Sequence, residues 1–146
     1  MEQENNLLDE IHHFFPTKNT DIRSFSPLKL AYLGDAVFEI IIRTIIIEET
    51  EGRVKHLHKR SSELVNAASQ AKLIHALQDE LTEDEMASFR HGRNAKTSSV
   101  AKNADIHDYR NATGLESLFG YLYLSGNSKR AIELVKIGFE RLHITI

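Results

Sequence analysis

The chain has no cysteine, no tryptophan, two prolines and seven glycines in 146 residues. Without cysteine there are no disulfides, thiolate metal sites or cysteine nucleophiles, and a reducing compartment suits it. Scarce proline and glycine disfavour a turn-rich all-β fold. Positive charge is not in excess either: 18 Lys and Arg stand against 21 Asp and Glu, a net charge of −3. No global basic field therefore announces a polyanionic partner, and any such partner must be held by local patches. There is no long unbroken apolar run. The nearest, 36–47, is interrupted by Glu39 and Arg43 and is too short to span a bilayer. The first residues, Met1 to Asn6, are acidic and lack the apolar core of a signal peptide, so the expected location is cytoplasmic. What is present is ordinary for one globular domain: 41% hydrophobic and 27% charged residues.

The most apolar stretch runs from Pro27 to Glu49. Ser26 can cap its first turn and Pro27 suits the first helical position. Apolar residues surround the helix instead of forming one stripe, which predicts a buried central helix. The isoleucine run would also suit a buried strand, but length and the cap decide for helix. One acid, Asp35, sits in the middle of this stretch. A carboxylate buried there is costly unless something pairs with it.

The rest of the chain reads as helices too. Leu7, Leu8, Ile11, Phe14 and Phe15 mark a short amphipathic helix. From Arg53 a helical apolar period continues to Leu77, with a kink expected near Asn66. Thr82 and Glu85 form a capping box for a helix over about 83–90. Residues 91–107 show no apolar period and are expected to be a long functional loop. Leu115, Leu118, Phe119, Leu122 and Tyr123 mark the next helix, ended by Gly126. Asn127 or Ser128 caps the last one, faced by Ala131, Leu134, Val135, Gly138, Phe139 and Leu142. The fold class predicted is all-α, six or seven helices around a buried one.

Two acids stand out. Asp35 lies beside Gly34, and Glu116 lies one turn before Gly120. Helices touching at those glycines would bring the two carboxylates together. Opposed carboxylates with nothing soft nearby suit Mg²⁺ or Mn²⁺, which prefer oxygen ligands and keep several waters. The plain alternatives are an Asp35 paired with a buried Arg or Lys and an exposed helical Glu116. The eight histidines do not make a transition-metal site. His56 and His58 are two apart and diverge on a helix, and so do His12 and His13. Two basic clusters interrupt the acidic average: Arg53, Lys55, Lys59 and Arg60; then Arg90, Arg93, Lys96 and Lys102, with Asn94, Thr97, Ser98 and Ser99 among them. Mixed basic and polar loops fit phosphate backbones. A carboxylate–metal centre flanked by such contacts suits phosphodiester hydrolysis.

At this point the residues resemble a known family. Leu30-Ala31-Tyr32-Leu33-Gly34-Asp35-Ala36-Val37 resembles the signature helix of ribonuclease III catalytic domains, and Thr113 to Gly120 resembles their second acidic motif. Arg90-His91-Gly92-Arg93-Asn94-Ala95-Lys96, and Tyr109-Arg110 through Leu124, resemble the compact Mini-ribonuclease III branch. The resemblance implies an all-α ribonuclease III endonuclease-domain-like fold over residues 21–146, with residues 1–20 as an N-terminal helical extension. It implies a homodimeric endoribonuclease that cuts double-stranded RNA with Mg²⁺, leaves 5′-phosphates and lacks a separate double-stranded-RNA-binding domain. Large-subunit (23S) ribosomal RNA precursor is the substrate it implies, with a ribosomal protein as a candidate for presenting it. Asp35 and Glu116 are then the catalytic and metal-binding residues, and Arg90, Arg93, Asn94, Lys96 and Lys102 the RNA contacts.

The chain also departs from the general family. Ala31 stands where a Glu is expected, Thr113 replaces the Asp of the second motif, and no Glu falls near 66–68. Ala31 and Thr113 keep one rival in play, a non-catalytic RNA- or ribosome-binding module on the same scaffold; a second, also built on helix carboxylates, is an all-α metal-dependent nucleotide hydrolase.

Overall fold

In the computed structural model of the chain, which describes residues 6–17, 21–96 and 105–146, the long apolar stretch begins as predicted. The Lys29 N–H donates to Ser26 Oγ at 3.2 Å, and Pro27 occupies the first turn. The described residues form seven α-helices and one short 3-10 turn, Ile22–Ser24, with no strand. In chain order the helices are α1 (Leu7–Phe14), α2 (Pro27–Glu49), α3 (Val54–Val65), α4 (Ala67–Ala76), α5 (Glu83–Arg93), α6 (Ile106–Leu124) and α7 (Ser128–Arg141).

Local chemistry sets most of the boundaries. The kink near Asn66 is a break: Asn66 has extended backbone, with ψ 161°, and its side chain caps α4 by accepting from Ser69 N–H at 2.9 Å. The Thr82–Glu85 capping box is present in both directions. Gly126 takes a φ of +79° just past α6, where a side chain would be strained.

The expected loop at 91–107 is shorter than the sequence suggests. Helix α5 continues through Arg93, and α6 starts at Ile106, capped by Asp105, which accepts from the N–H groups of His107 and Asp108. The first turns of α6 are polar because they border a cleft, so no apolar period announces them. Thr97, Ser98, Ser99 and Lys102 lie outside the described residues.

Helices α2, α4, α5 and α7 all pack on α6. The helix enclosed on every side is α6, whose Ala112, Gly114, Leu115, Ser117, Leu118, Phe119, Gly120 and Leu122 are buried. Helix α2 is buried on one face only, through Leu30, Gly34, Val37, Phe38, Ile42 and Ile46. Its other face leaves Tyr32, Ile40 and Ile47 exposed. The expected burial of 27–49 thus holds along one side. Phe38 meets Phe119 with ring centroids 5.5 Å apart at the centre of the core.

Two glycines let α2 and α6 cross at backbone contact. A Cβ on Gly34 would stand 1.6 Å from the Glu116 carbonyl oxygen, and one on Gly120 would stand 2.0 Å from the Leu30 carbonyl oxygen. No other residue fits either position without separating the helices. This crossing fixes the spacing of everything that projects beside it.

Candidate metal centre and cleft

Asp35 follows Gly34 on α2, and Glu116 is the residue whose carbonyl touches that glycine. The crossing therefore sets their side chains next to each other, within hydrogen-bonding reach. Glu116 is partly buried, and its pKa is pushed up from 4.5 to about 8. Burial is the main cause; the neighbouring Asp35 charge and a hydrogen bond to Asp35 add to it. At neutral pH the Glu116 carboxyl therefore keeps its proton and donates it to Asp35.

Among the described residues no lysine, arginine or histidine forms an ion pair with either acid. The acid one turn further along α2, Glu39, is instead taken by Arg43 at 2.8 Å. The two acids open into a cleft of ≈ 390 Å³ between α2, α4 and α6. Tyr32, Gln70, Tyr109 and Thr113 also line it. The Thr113 hydroxyl is committed to its own helix, donating to the Tyr109 carbonyl at 3.0 Å. Ala31, also on the wall, offers only a methyl group.

This donor set suits a hard divalent cation. It consists of oxygen atoms, no basic side chain among the described residues pairs with either acid, and the cleft has room for water. The described residues contain no group of three His, Cys, Asp or Glu able to enclose a metal. Two acids do not make a closed structural cage; they would suit an ion held by few protein ligands that keeps several waters, as Mg²⁺ prefers.

One lining residue escaped the sequence reading. Gln70 is only 4% exposed, yet its side-chain amide makes no hydrogen bond among the described residues. A signal was available, because Gln70 precedes Leu73 and Ile74 by three and four residues and so sits on the buried stripe of α4.

The residues expected to contact RNA lie elsewhere. Arg90, Arg93, Asn94 and Lys96 stand at and after the C-terminal end of α5, and none of them lines the cleft. Gly92 packs against Gly114 and Ser117 of α6, so this end of α5 abuts the turns that carry Thr113 and Glu116. Arg93 lies over the Phe89 ring at 5.4 Å and donates to Asn94 Oδ1 at 3.3 Å. Arg90, Asn94 and Lys96 are exposed. Lys102 falls outside the described residues. In the other basic cluster, Arg60 is used internally, pairing with Glu63 at 2.8 Å and donating to the Thr145 carbonyl at 2.7 Å.

The all-helical fold, with acids of two crossing helices brought to one cleft, agrees with the resemblance seen in the sequence. The ribonuclease III domain matches residues 28–127, and the chain belongs to that family. It is 46% identical to the Mini-ribonuclease 3 of Clostridium tetani over 118 residues, covering 80% of this chain and 78% of that one. With the Mini-ribonuclease 3 of Brevibacillus brevis it shares 45% identity over 78% of this chain and 85% of the other. With that of Enterococcus faecalis the figures are 42%, 79% and 89%. These likenesses put it in the Mini-ribonuclease 3 group of the family. A crystal structure of a Fusobacterium nucleatum protein superposes with a TM-score of 0.74 at 28% identity, covering 84% of this chain and 98% of that one.

Proposed function

We propose that the chain is a divalent-metal-dependent endoribonuclease that hydrolyses phosphodiester bonds in double-stranded RNA, with Asp35 and Glu116 as its catalytic and metal-binding residues. Endoribonuclease activity comes with membership of the family. The single observation that carries the finer reading is the Asp35–Glu116 pair, held in contact at a cleft with no protein cation among the described residues to neutralise it. A buried acid pair of this kind is unfavourable unless an external cation completes it.

Asp35 and Glu116 would hold Mg²⁺, or Mn²⁺ in its place. When bound, the ion supplies an activated water and charge stabilisation at the phosphate. The protein's own part is to release the Glu116 proton, fix both carboxylates on rigid helices and keep the cleft open to a phosphodiester. Duplex RNA shows side chains little of its sequence, so phosphates and 2′-hydroxyls dominate recognition. Arg90, Arg93, Asn94, Lys96 and Lys102 are assigned to those contacts.

The active form is a homodimer in this reading. Tyr32, Ile40 and Ile47 are 85%, 60% and 66% exposed along one side of α2, and such a stripe is better covered by a second copy than by water. Beside it, Ile46, Ile47, Val54 and Leu57 line a mostly apolar hollow of ≈ 250 Å³. No described helix is long and apolar enough to cross a membrane. The proposed setting is the cytoplasm, the substrate a large-subunit ribosomal RNA precursor, presented or not by a ribosomal protein. Residues 1–20 are read as an extension to a catalytic domain at 21–146.

The two-acid site also motivates the rival reading, an RNA-binding module without catalysis, since Ala31 and Thr113 bring no carboxylate to the cleft. A long labelled RNA duplex, incubated with and without Mg²⁺, separates them. The wild type is expected to cut only with the ion and to leave 5′-phosphates. Asp35→Asn is expected to stay folded and lose about 10²–10⁴-fold in rate, the range that metal stabilisation supplies. Binding without cleavage in any divalent ion, or full cleavage by folded Asp35→Asn, overturns the proposal.

A further inference from the structure

We infer that Gln70 is a positioning residue of the metal centre, supplying a neutral oxygen from α4 to the divalent ion or to one of its waters. The inference rests on the metal-dependent reading above and goes beyond it, because no acidic motif includes this residue.

Three observations carry it. Gln70 lines the same cleft as Asp35 and Glu116, and it comes from a third helix, so the centre is approached from α2, α4 and α6. It is 4% exposed, and its amide is not bonded to any described residue. Finally, that amide is not among the sealed orphans of the interior. Among the described residues, the buried side-chain atoms without partner or solvent are the hydroxyls of Ser88 and Ser117. The residual exposure of Gln70 therefore opens on the cleft it lines. A buried amide kept unbonded beside two acids is a group waiting for something that enters.

Charge explains why an amide serves here. Asp35 and Glu116, once ionised, match the charge of a single divalent ion. A third carboxylate could also ligate the ion, but it would add another charge to desolvate whenever the ion is absent. An amide oxygen adds a hard ligand with no charge, as backbone and side-chain carbonyls do in other hard-cation sites. The amide N–H₂ remains available to donate to a carboxylate, which fixes the orientation of both.

The test reads metal binding apart from cleavage. Mn²⁺ is titrated into the full chain without RNA, and free ion is followed by electron paramagnetic resonance. Gln70→Met keeps the volume and removes both polar atoms. It is expected to weaken Mn²⁺ binding by about tenfold, the lower end for lost supporting ligands. It should also raise the Mg²⁺ needed for half-maximal duplex cleavage by a similar factor, while the rate at saturating Mg²⁺ changes less. Gln70→Glu is expected to bind Mn²⁺ at least as tightly as the wild type. Folded Gln70→Met that binds Mn²⁺ like the wild type overturns the inference. If Gln70→Met does not fold, Gln70→Glu decides alone, and weaker Mn²⁺ binding by it overturns the inference. A wild type that binds no Mn²⁺, or Asp35→Asn that binds it unchanged, instead overturns the metal reading on which this one stands.

Discussion

Glu85 and Glu116 are both glutamates withdrawn from solvent, and their surroundings push them in opposite directions. Glu85, 4% exposed, sits at the start of α5 and meets Arg130 of α7 through two contacts, at 2.9 and 3.1 Å. Burial alone would raise its pKa. The Arg130 bonds and the Thr82 backbone N–H outweigh burial and hold it below 4.5. Arg130 also donates to the Glu80 carbonyl at 2.8 Å, so the group ties the α4–α5 turn to α7. Glu116 has no such partner; it faces another acid and is pushed up to about 8. The molecule thus neutralises one buried acid with its own arginine and sets the other against a second acid. Under the proposed reading, that contrast separates a stabilising carboxylate from one held for chemistry more sharply than burial does.

The largest effect on stability should come from breaking the paired acid. Glu85→Gln leaves Arg130, with 18% of its side chain exposed, without its main counter-charge. The expected loss is about 3–5 kcal/mol, as when one partner of a buried pair is removed. Urea unfolding measures it. Cleavage per folded molecule should be unchanged, since Glu85 is absent from the cleft. A loss below about 1 kcal/mol, the range of exposed pairs, would erase the contrast between the two glutamates.

The second effect is a pH dependence of opposite sign at the two sites. For Glu116 the folded pKa, about 8, lies above the ordinary 4.5, so between these values the folded chain binds more protons than the unfolded one. Stability in EDTA should therefore fall as pH rises from 4.5 to 8. Glu116→Gln should remove that slope, and saturating Mg²⁺ should flatten it in the wild type. For Glu85 the folded pKa lies below 4.5, so its contribution is present above that pH and is lost as pH falls through the folded value. Melting curves from pH 4 to 9, with and without Mg²⁺, display both. A wild-type profile in EDTA that is flat from pH 6 to 8 would contradict the assignment of Glu116.

The legible parts of this architecture were those fixed by local chemistry. Ser26 and Pro27, the Thr82–Glu85 box and Asn66 each set a helix end through bonds to their own neighbours. Gly34 and Gly120 were legible as a crossing because a missing side chain has few other uses in a helix interior. Helix α6 was misjudged at its start, since Ile106 to Thr113 follow no apolar period where they border the cleft, and the Asp105 cap was passed over. Residues 27–49 are more apolar than one small domain needs, which predicts apolar surface left over, but which side of α2 carries it was not legible, because isoleucine reads alike on either face. Gln70 was overlooked because a polar residue between apolar stripe positions looks solvated until its helix is placed.

The smallest expected effect concerns the region opposite in character to the acid pair, the basic end of α5. A charge on an exposed side chain contributes to binding a polyanion through counterion release more than through fixed geometry. Lys96 and Arg90 are exposed, whereas Arg93 is partly engaged by Phe89 and Asn94. Each of Lys96→Ala and Arg90→Ala should reduce the slope of log binding constant against log salt by about 1 if the residue holds one phosphate. Arg93→Ala should cost more than slope alone, because it also removes the side chain stacked on Phe89. Filter binding of a duplex to Asp35→Asn protein, across a series of salt concentrations, reads these slopes without cleavage. A slope unchanged in Lys96→Ala and Arg90→Ala would detach this end of α5 from the duplex and leave the cleft without its proposed flank.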